Sequence, residues 1–200
     1  MTGIKAMLPA ALLALAACAT SGDPTSRFDS FQSSAGVEAL RAYDAVYVAP
    51  VTASEDVTRD TDRAHIRRLG GDRPLGARDV TEKTADLEEA LKEALAGVAR
   101  VVDRPGPGVL TVATVVTDLD PNRPTMSQMS AEPGLDFQSI SLGGAAVRVE
   151  LRDGDRVLAV IEDDSPDRRF DDPMIQGSTM WTEANSFFRR FSRDLADLLA

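Results

Sequence analysis

The chain has 200 residues and a formal net charge of −10, from 32 acidic and 22 basic side chains. This length and a hydrophobic content of 43% are ordinary for one globular domain with extra segments. The acidic balance argues against nucleic acid as a partner, because phosphate binding needs clustered Lys and Arg. It also argues against electrostatic attachment to anionic lipid.

Residues 1–17 have the pattern of a signal peptide, with a positive charge at Lys5 and an apolar run over Met7–Ala17. The run is about half of the ~20 residues that a membrane-spanning helix needs. It ends in Leu15, Ala16, Ala17 and Cys18, which looks like the lipobox of bacterial lipoprotein signal peptides. We therefore predict cleavage before Cys18 and its acylation with diacylglycerol and a further chain such as palmitate, which together anchor the protein in a membrane.

Cys18 is the only cysteine, which excludes an intramolecular disulfide and a cysteine-based zinc site. The alternative is an ordinary signal peptide in which this cysteine is incidental. In lipoproteins of enteric type, Asp after the cysteine often retains the protein in the inner membrane. Ala19 therefore favours the outer membrane, facing the periplasm, by resemblance to those proteins.

The predicted organisation is a signal peptide over 1–17, the lipidated cysteine with a flexible tether over 18–36, and one globular domain over 37–200. The tether is predicted because its Ser, Thr, Gly, Asp and Pro cannot bury enough apolar surface to fold. Docking of Phe28 and Phe31 onto the domain is compatible with this and remains open.

The domain alternates strand and helix patterns. Strands are predicted over 44–51, 101–102, 109–119, 140–152 and 156–162, with a hairpin turn at Asp153-Gly154. A helix is expected to begin at Asp79, with Glu82 as its capping-box partner, and to bury Leu87, Leu91 and Leu95. A last helix covers 181–199. We predict an α/β (α+β) fold: a single mixed sheet of about four to five strands with two amphipathic helices on one face.

The stretch Arg100–Asp118, with its Asp-Arg-Pro-Gly-Pro-Gly-Val-Leu segment, resembles a family of proteobacterial lipoproteins known only as a domain of unknown function, number thirty-three thirteen. The strand Tyr43–Val51, the strand pair Gly144–Arg152 and Val157–Asp163, and the late Trp181 support the resemblance. It implies a lipid-anchored envelope protein with no assigned activity. No catalytic residue follows from it.

The residues that carry chemistry give no catalytic signature. His65 is the only histidine, so a two-histidine metal site is impossible within the chain, and we interpret it as a solvated loop residue. An acidic loop offers weak candidates for oxygen ligands to calcium, although it lacks the EF-hand spacing. These candidates are Asp163, Asp164, Asp167, Asp171 and Asp172. We predict no catalytic residue, no metal and no cofactor.

Three functions remain open. The first is a non-catalytic envelope lipoprotein that binds a protein partner or helps envelope assembly. The second is a carboxylate-dependent enzyme acting on envelope glycan, and the third is a calcium-binding or small-ligand module. The first is favoured because the tether and small domain lack a catalytic motif.

Overall fold

The computed structural model describes residues 23–58, 75–131, 134, 136, 138, 142–165 and 179–200. The α-helices are α1 (Val37–Arg41), α2 (Glu55–Thr58), α3 (Ala77–Leu95), α4 (Met126–Ala131) and α5 (Thr182–Leu199). The strands are β1 (Ser30–Ser33), β2 (Ala45–Val48), β3 (Thr52–Ala53), β4 (Arg100–Val101), β5 (Leu110–Asp120), β6 (Gly144–Asp153) and β7 (Arg156–Asp164). A 3₁₀ turn over Pro24–Arg27 precedes β1.

All seven strands join one mixed sheet in the order β1-β7-β6-β5-β2-β4, with β3 also paired to β5. β1, β7, β6 and β5 run antiparallel to their neighbours in that series, whereas β2, β3 and β4 are parallel to the strands they pair with. β2 and β3 lie end to end along β5, because the chain between them contains Pro50, which has no N–H to donate. The mixed α/β fold is confirmed, but the prediction of about four to five strands was too low.

The register of the strands aligns side chains of neighbouring strands in rows on the same face of the sheet. Val112 of β5 lies opposite Leu151 of β6, and Leu151 lies opposite Ala159 of β7. All three are buried, while the residues between them along each strand are partly exposed or exposed, apart from Leu158 at an irregularity of β7. This period of two means that one face of the sheet carries the core.

The two long helices cover that face. α3 buries Leu87, Leu91 and Leu95 at a spacing of four, as the sequence predicts. α5 packs against α3 and β6 and buries a three-phenylalanine cluster, in which the Phe187 and Phe191 rings stack with centroids 5.9 Å apart. These rings supply most of the aromatic mass of the core.

The turn of the β6–β7 hairpin confirms the sequence signal at Asp153-Gly154. Asp153 pairs with Arg156, which leaves Gly154 and Asp155 as a two-residue loop. Gly154 has a φ of 58°, a value that residues with a Cβ adopt at a steric cost and that short hairpin turns need.

The structure differs from the sequence prediction at several element boundaries. α3 begins at Ala77, and the Asp79 carboxylate accepts a hydrogen bond from Gly76 N–H at 3.3 Å, so Asp79 lies in the first turn of the helix. β7 continues to Asp164, which places Asp163 and Asp164 in the sheet rather than in an acidic loop. The segment predicted as tether contains the 3₁₀ turn and β1, and its Phe28 is buried.

Among the residues that the structure describes, no helix is both long enough and apolar enough to cross a lipid bilayer.

Candidate functional site

A buried asparagine joins three segments at the carboxyl end of β5. Asn122 accepts a hydrogen bond from Glu183 N–H at 3.0 Å and donates from Nδ2 to the Leu142 carbonyl at 2.9 Å. Its own backbone N–H donates to the Met180 carbonyl at 2.7 Å. One fully buried side chain therefore fixes the start of α5 and the approach to β6.

Gly143 is required for this arrangement. A Cβ at Gly143 would lie 2.4 Å from Asn122 Nδ2, and its φ is 65°. Both the space and the backbone conformation therefore exclude a side chain at this position. We name Asn122, Gly143 and the start of α5 the asparagine junction.

A reciprocal cap begins α4 just after the asparagine junction. Thr125 N–H donates to Gln128 Oε1 at 2.9 Å, and Gln128 N–H donates to Thr125 Oγ1 at 3.3 Å. Both residues are buried. This is a capping box, in which the polar side chains satisfy backbone groups of the helix start.

Lys83 is a buried cation between α3 and α5. Its ammonium lies 5.6 Å from the Trp181 ring centroid and donates to Asn185 Oδ1 at 3.2 Å and to the Asp86 carboxylate. A charge taken from water needs such partners. Because the fold itself provides these partners, Lys83 ties the two helices together.

Asp163 is a buried carboxyl on the core side of β7. It lies opposite Val147 of β6, and the residue is 5% exposed. Burial raises the pKa of Asp163 to about 6, although Arg190, 3.1 Å away, acts in the opposite direction. Asp29 adds a smaller upward effect on this pKa by like-charge repulsion.

Arg190 holds this region together. It donates to the Asp164 carbonyl at 2.8 Å, and its guanidinium lies 5.1 Å from the Phe187 ring centroid. The Asp163–Arg190 pair thus joins β7 to α5, with Asp163 buried and Arg190 partly exposed. A general acid has to reach its substrate, and the Asp163 carboxyl, being buried, is poorly placed for that role.

The sheet surface opposite the long helices, which we name the open face, carries a mixed set of partly exposed side chains. Its central residues are Gln32, Tyr47, Thr111, Ala113, Val115, Arg148, Glu150, Arg152, Val160 and Glu162. Apolar side chains of β5 and β7 alternate there with charged ones of β6. The open face is therefore neither a second core nor a simple solvated surface.

Ion pairs order the charged side chains of the open face. Arg148 donates to Glu162 at 2.9 Å and to Glu150 at 3.1 Å, and Arg152 Nε donates to Glu150 at 2.9 Å. Hydrogen bonds from Arg152 and then Arg148 lower the pKa of Glu150, and burial acts in the opposite direction. The four charges therefore form one network across β6 and β7.

A shallow depression on the outer side of α3 gathers no catalytic groups. Its lining side chains are Ala85, Glu88, Glu89, Lys92 and Glu93, all from the same helix. Glu88 is already paired with Lys92 and accepts from Val51 N–H at 3.2 Å. A cleft with groups converging from several elements is what an active site needs, and this surface is not one.

The predicted site residues fall largely outside the described residues. Those outside are Leu15, Ala16, Ala17, Cys18, His65, Asp167, Asp171 and Asp172. Asp163 and Asp164 are described, and they serve the β7–α5 contact. Within the described ranges, no three His, Cys, Asp or Glu side chains are grouped as a metal site would need.

A family model for proteins of unknown function, DUF3313, matches residues 33–195. The chain belongs to this family. The resemblance seen at Arg100–Asp118 is thereby confirmed, and the matched range runs from the end of β1 to the last turns of α5. A search of curated proteins finds no match to this DUF3313 chain.

Solved structures with a distant likeness to the DUF3313 chain include a PelC dodecamer from Paraburkholderia phytofirmans. The identity is 11%, the match covers 86% of this chain and 97% of that one, and the TM-score is 0.39. The hypothetical protein CT253 from Chlamydia trachomatis shares 12% identity over 79% of this chain and 92% of that one, with a TM-score of 0.32. At these scores neither likeness informs the function.

Sequence reasoning missed the asparagine junction and the Asp163–Arg190 pair. The core-facing position of Asp163 could have been predicted, because Ala159, Ile161 and Asp163 occupy every second position of β7 and therefore share one face of the sheet. The role of Asn122 could not have been predicted, because its hydrogen-bond partners at 142, 180 and 183 are distant in sequence and no local pattern indicates the pairing.

Proposed function

We propose that this DUF3313 protein is a lipoprotein of the bacterial cell envelope, acylated on Cys18 in the outer membrane and facing the periplasm. Its domain acts there as a non-catalytic module that binds an envelope protein. The observation that carries the proposal for binding is the open face, where apolar and paired charged side chains are partly exposed over four strands.

The anchor is supported by the sequence. Cys18 is the only cysteine, and it follows Leu15-Ala16-Ala17 at the end of an apolar run of signal-peptide length. Acyl chains on one residue hold a protein firmly only when two or more are present, since each buried methylene contributes about 0.8 kcal/mol. A diacylglycerol thioether meets that requirement.

Binding at the open face is supported by its composition. Protein interfaces combine apolar patches with a polar surround and a few charged anchors. Val115 and Val160 supply apolar area here, and the Arg148–Glu162 pair lies beside them. A partner with complementary charges would replace some of these surface ion pairs, which are themselves worth only about 0–1 kcal/mol.

The test is site-specific photocrosslinking in intact cells of the host. A photoreactive phenylalanine analogue replaces Val160 on the open face, and in a matched chain it replaces Glu89 on the exposed side of α3. We expect a defined protein adduct from position 160, its loss when Cys18→Ser is added, and no adduct from position 89. An adduct from position 89 alone, or none at 160 in acylated protein, would overturn the proposal for the open face.

A further inference from the structure

The N-terminal segment is packed onto the domain almost from its first described residue. Phe28 is buried, and its ring meets Phe191 of α5 edge-on, with centroids 5.9 Å apart and an interplanar angle of 68°. The strand that follows, β1, pairs with β7 over four residues from Ser30 to Ser33. This segment is thus part of the core and of the sheet.

Polar contacts fix the turn that precedes Phe28. Arg27 donates to Asp194 at 3.1 Å and also pairs with Asp197, both on the outer side of α5. Asp23 accepts from Thr25 N–H at 3.0 Å and so caps the 3₁₀ turn. After Phe28, Asp29 accepts from Asp164 N–H at 2.9 Å. Contacts on both sides of the buried ring therefore hold the segment along α5 and β7.

This segment lies at one edge of the sheet. β1 is the last strand on that side, whereas β4 is the last strand on the other. Five strand spacings of about 4.8 Å separate the two edges, which makes the sheet about 24 Å wide. A membrane attached through the N-terminal segment would therefore be attached at the β1 edge.

The chain between the anchor and the packed segment is short. Five Cα-to-Cα steps lead from Cys18 to Asp23. Fully extended, each step spans at most about 3.6 Å, so the reach is at most about 18 Å. This reach is less than the width of the sheet.

We propose that the acylated protein is held edge-on to the bilayer, with the 3₁₀ turn and β1 against the lipid surface and β4 pointing away from it. The inference rests on the proposed acylation of Cys18. The short reach, and not charge, keeps this edge near the bilayer, because Asp194 and Asp197 offset the charge of Arg27 and so weaken any attraction to anionic lipid. The open face then stands roughly perpendicular to the membrane, where a periplasmic partner can approach it.

Energy transfer from the protein to the lipid surface tests this orientation. The acylated full-length protein is placed in vesicles of phosphatidylethanolamine with a minor fraction of phosphatidylglycerol, and an acceptor dye is attached to a headgroup. The donor dye is attached to Ser26→Cys in the 3₁₀ turn or, in a matched chain, to Arg100→Cys in β4; both positions are exposed. The thioether blocks the thiol of Cys18, so each chain has a single reactive cysteine.

The dye pair is chosen so that its characteristic transfer distance is close to the sheet width of ~24 Å. We then expect energy transfer to be at least about twofold more efficient from position 26 than from position 100. Inserting about 12 Gly and Ser residues after Ser21 adds a coil of about 19 Å and should reduce both the transfer from position 26 and the difference between the two positions. Equal transfer from the two positions without the insertion would overturn the edge-on orientation.

The mass of the purified protein separates this inference from the proposed function. A protein that carries the diacylglycerol mass yet gives equal transfer at both positions refutes the orientation and leaves the anchor standing. A protein that lacks the acyl mass and does not bind vesicles refutes the anchor, and the orientation with it.

Discussion

Replacement of Asp163 by Asn should change how stability depends on pH. Burial holds the pKa of this carboxyl at about 6, against an ordinary value of 3.8. The folded protein therefore binds the proton more tightly than the unfolded chain does. Between these two values the folded state carries more protons, so the free energy of unfolding falls as pH rises through this window.

The magnitude follows from the difference of about two pKa units. At roughly 1.4 kcal/mol per unit, ionisation of Asp163 removes about 3 kcal/mol from the free energy of unfolding between pH 4 and pH 7.5. The amide introduced by Asp163→Asn keeps the shape of the side chain and has no proton to lose. The variant should therefore gain about 3 kcal/mol relative to the wild type over that range.

Urea unfolding measures this directly, with the fluorescence of Trp181 as the probe, because the chain has one tryptophan and it is buried. The difference in unfolding free energy between Asp163→Asn and wild type is measured at several values between pH 4 and pH 7.5. Asp164→Asn is the control, because its exposed side chain lies one residue away. A wild-type minus variant difference that stays constant across this range would refute the argument that burial governs this carboxyl.

Two further substitutions test the contacts that organise the fold. Gly143→Ala should lower the free energy of unfolding by about 3 kcal/mol or more, because the new Cβ would meet Asn122 and the φ of this residue is 65°. The control is Gly106→Ala, which has open space around it and should change the free energy of unfolding by no more than about 0.5 kcal/mol. Equal effects of the two substitutions in urea unfolding would contradict this prediction. Phe28→Ala should cost about 3 kcal/mol and expose the N-terminal segment to limited proteolysis. Phe31→Ala, at a less buried edge position, should have the smaller effect, and the reverse order would contradict the packing described.

Local patterns predicted the centre of the fold. The apolar run of β5, the Asp153-Gly154 turn and the repeat of leucines along α3 each depend on neighbours in sequence, so their signals are visible in the chain itself. The last helix was predicted to within a residue, since its apolar side chains recur at helical spacing. Together these define a mixed sheet covered by two helices.

The parts that escaped prediction depend on partners far along the chain. β1 reads Ser-Phe-Gln-Ser, which resembles a polar tether until its pairing with β7 is known. β3 has only two residues, too few for a period to appear. In the same way, the charged residues of β6 and β7 look like solvated surface residues in sequence, and only the strand register joins Arg148, Glu150 and Glu162 into one network.

The contact of Arg27 with Asp197 joins residues 170 positions apart. At a synthesis rate of about 5–20 residues per second, the partner of Arg27 is made roughly 10–30 s after Arg27 itself. Until residue 164 has been made, β1 has no β7 to pair with, and Phe28 has no α5 to pack against until later still. The domain therefore cannot close its core until α5 has been synthesised, so the N-terminal segment waits for packing partners that are made much later.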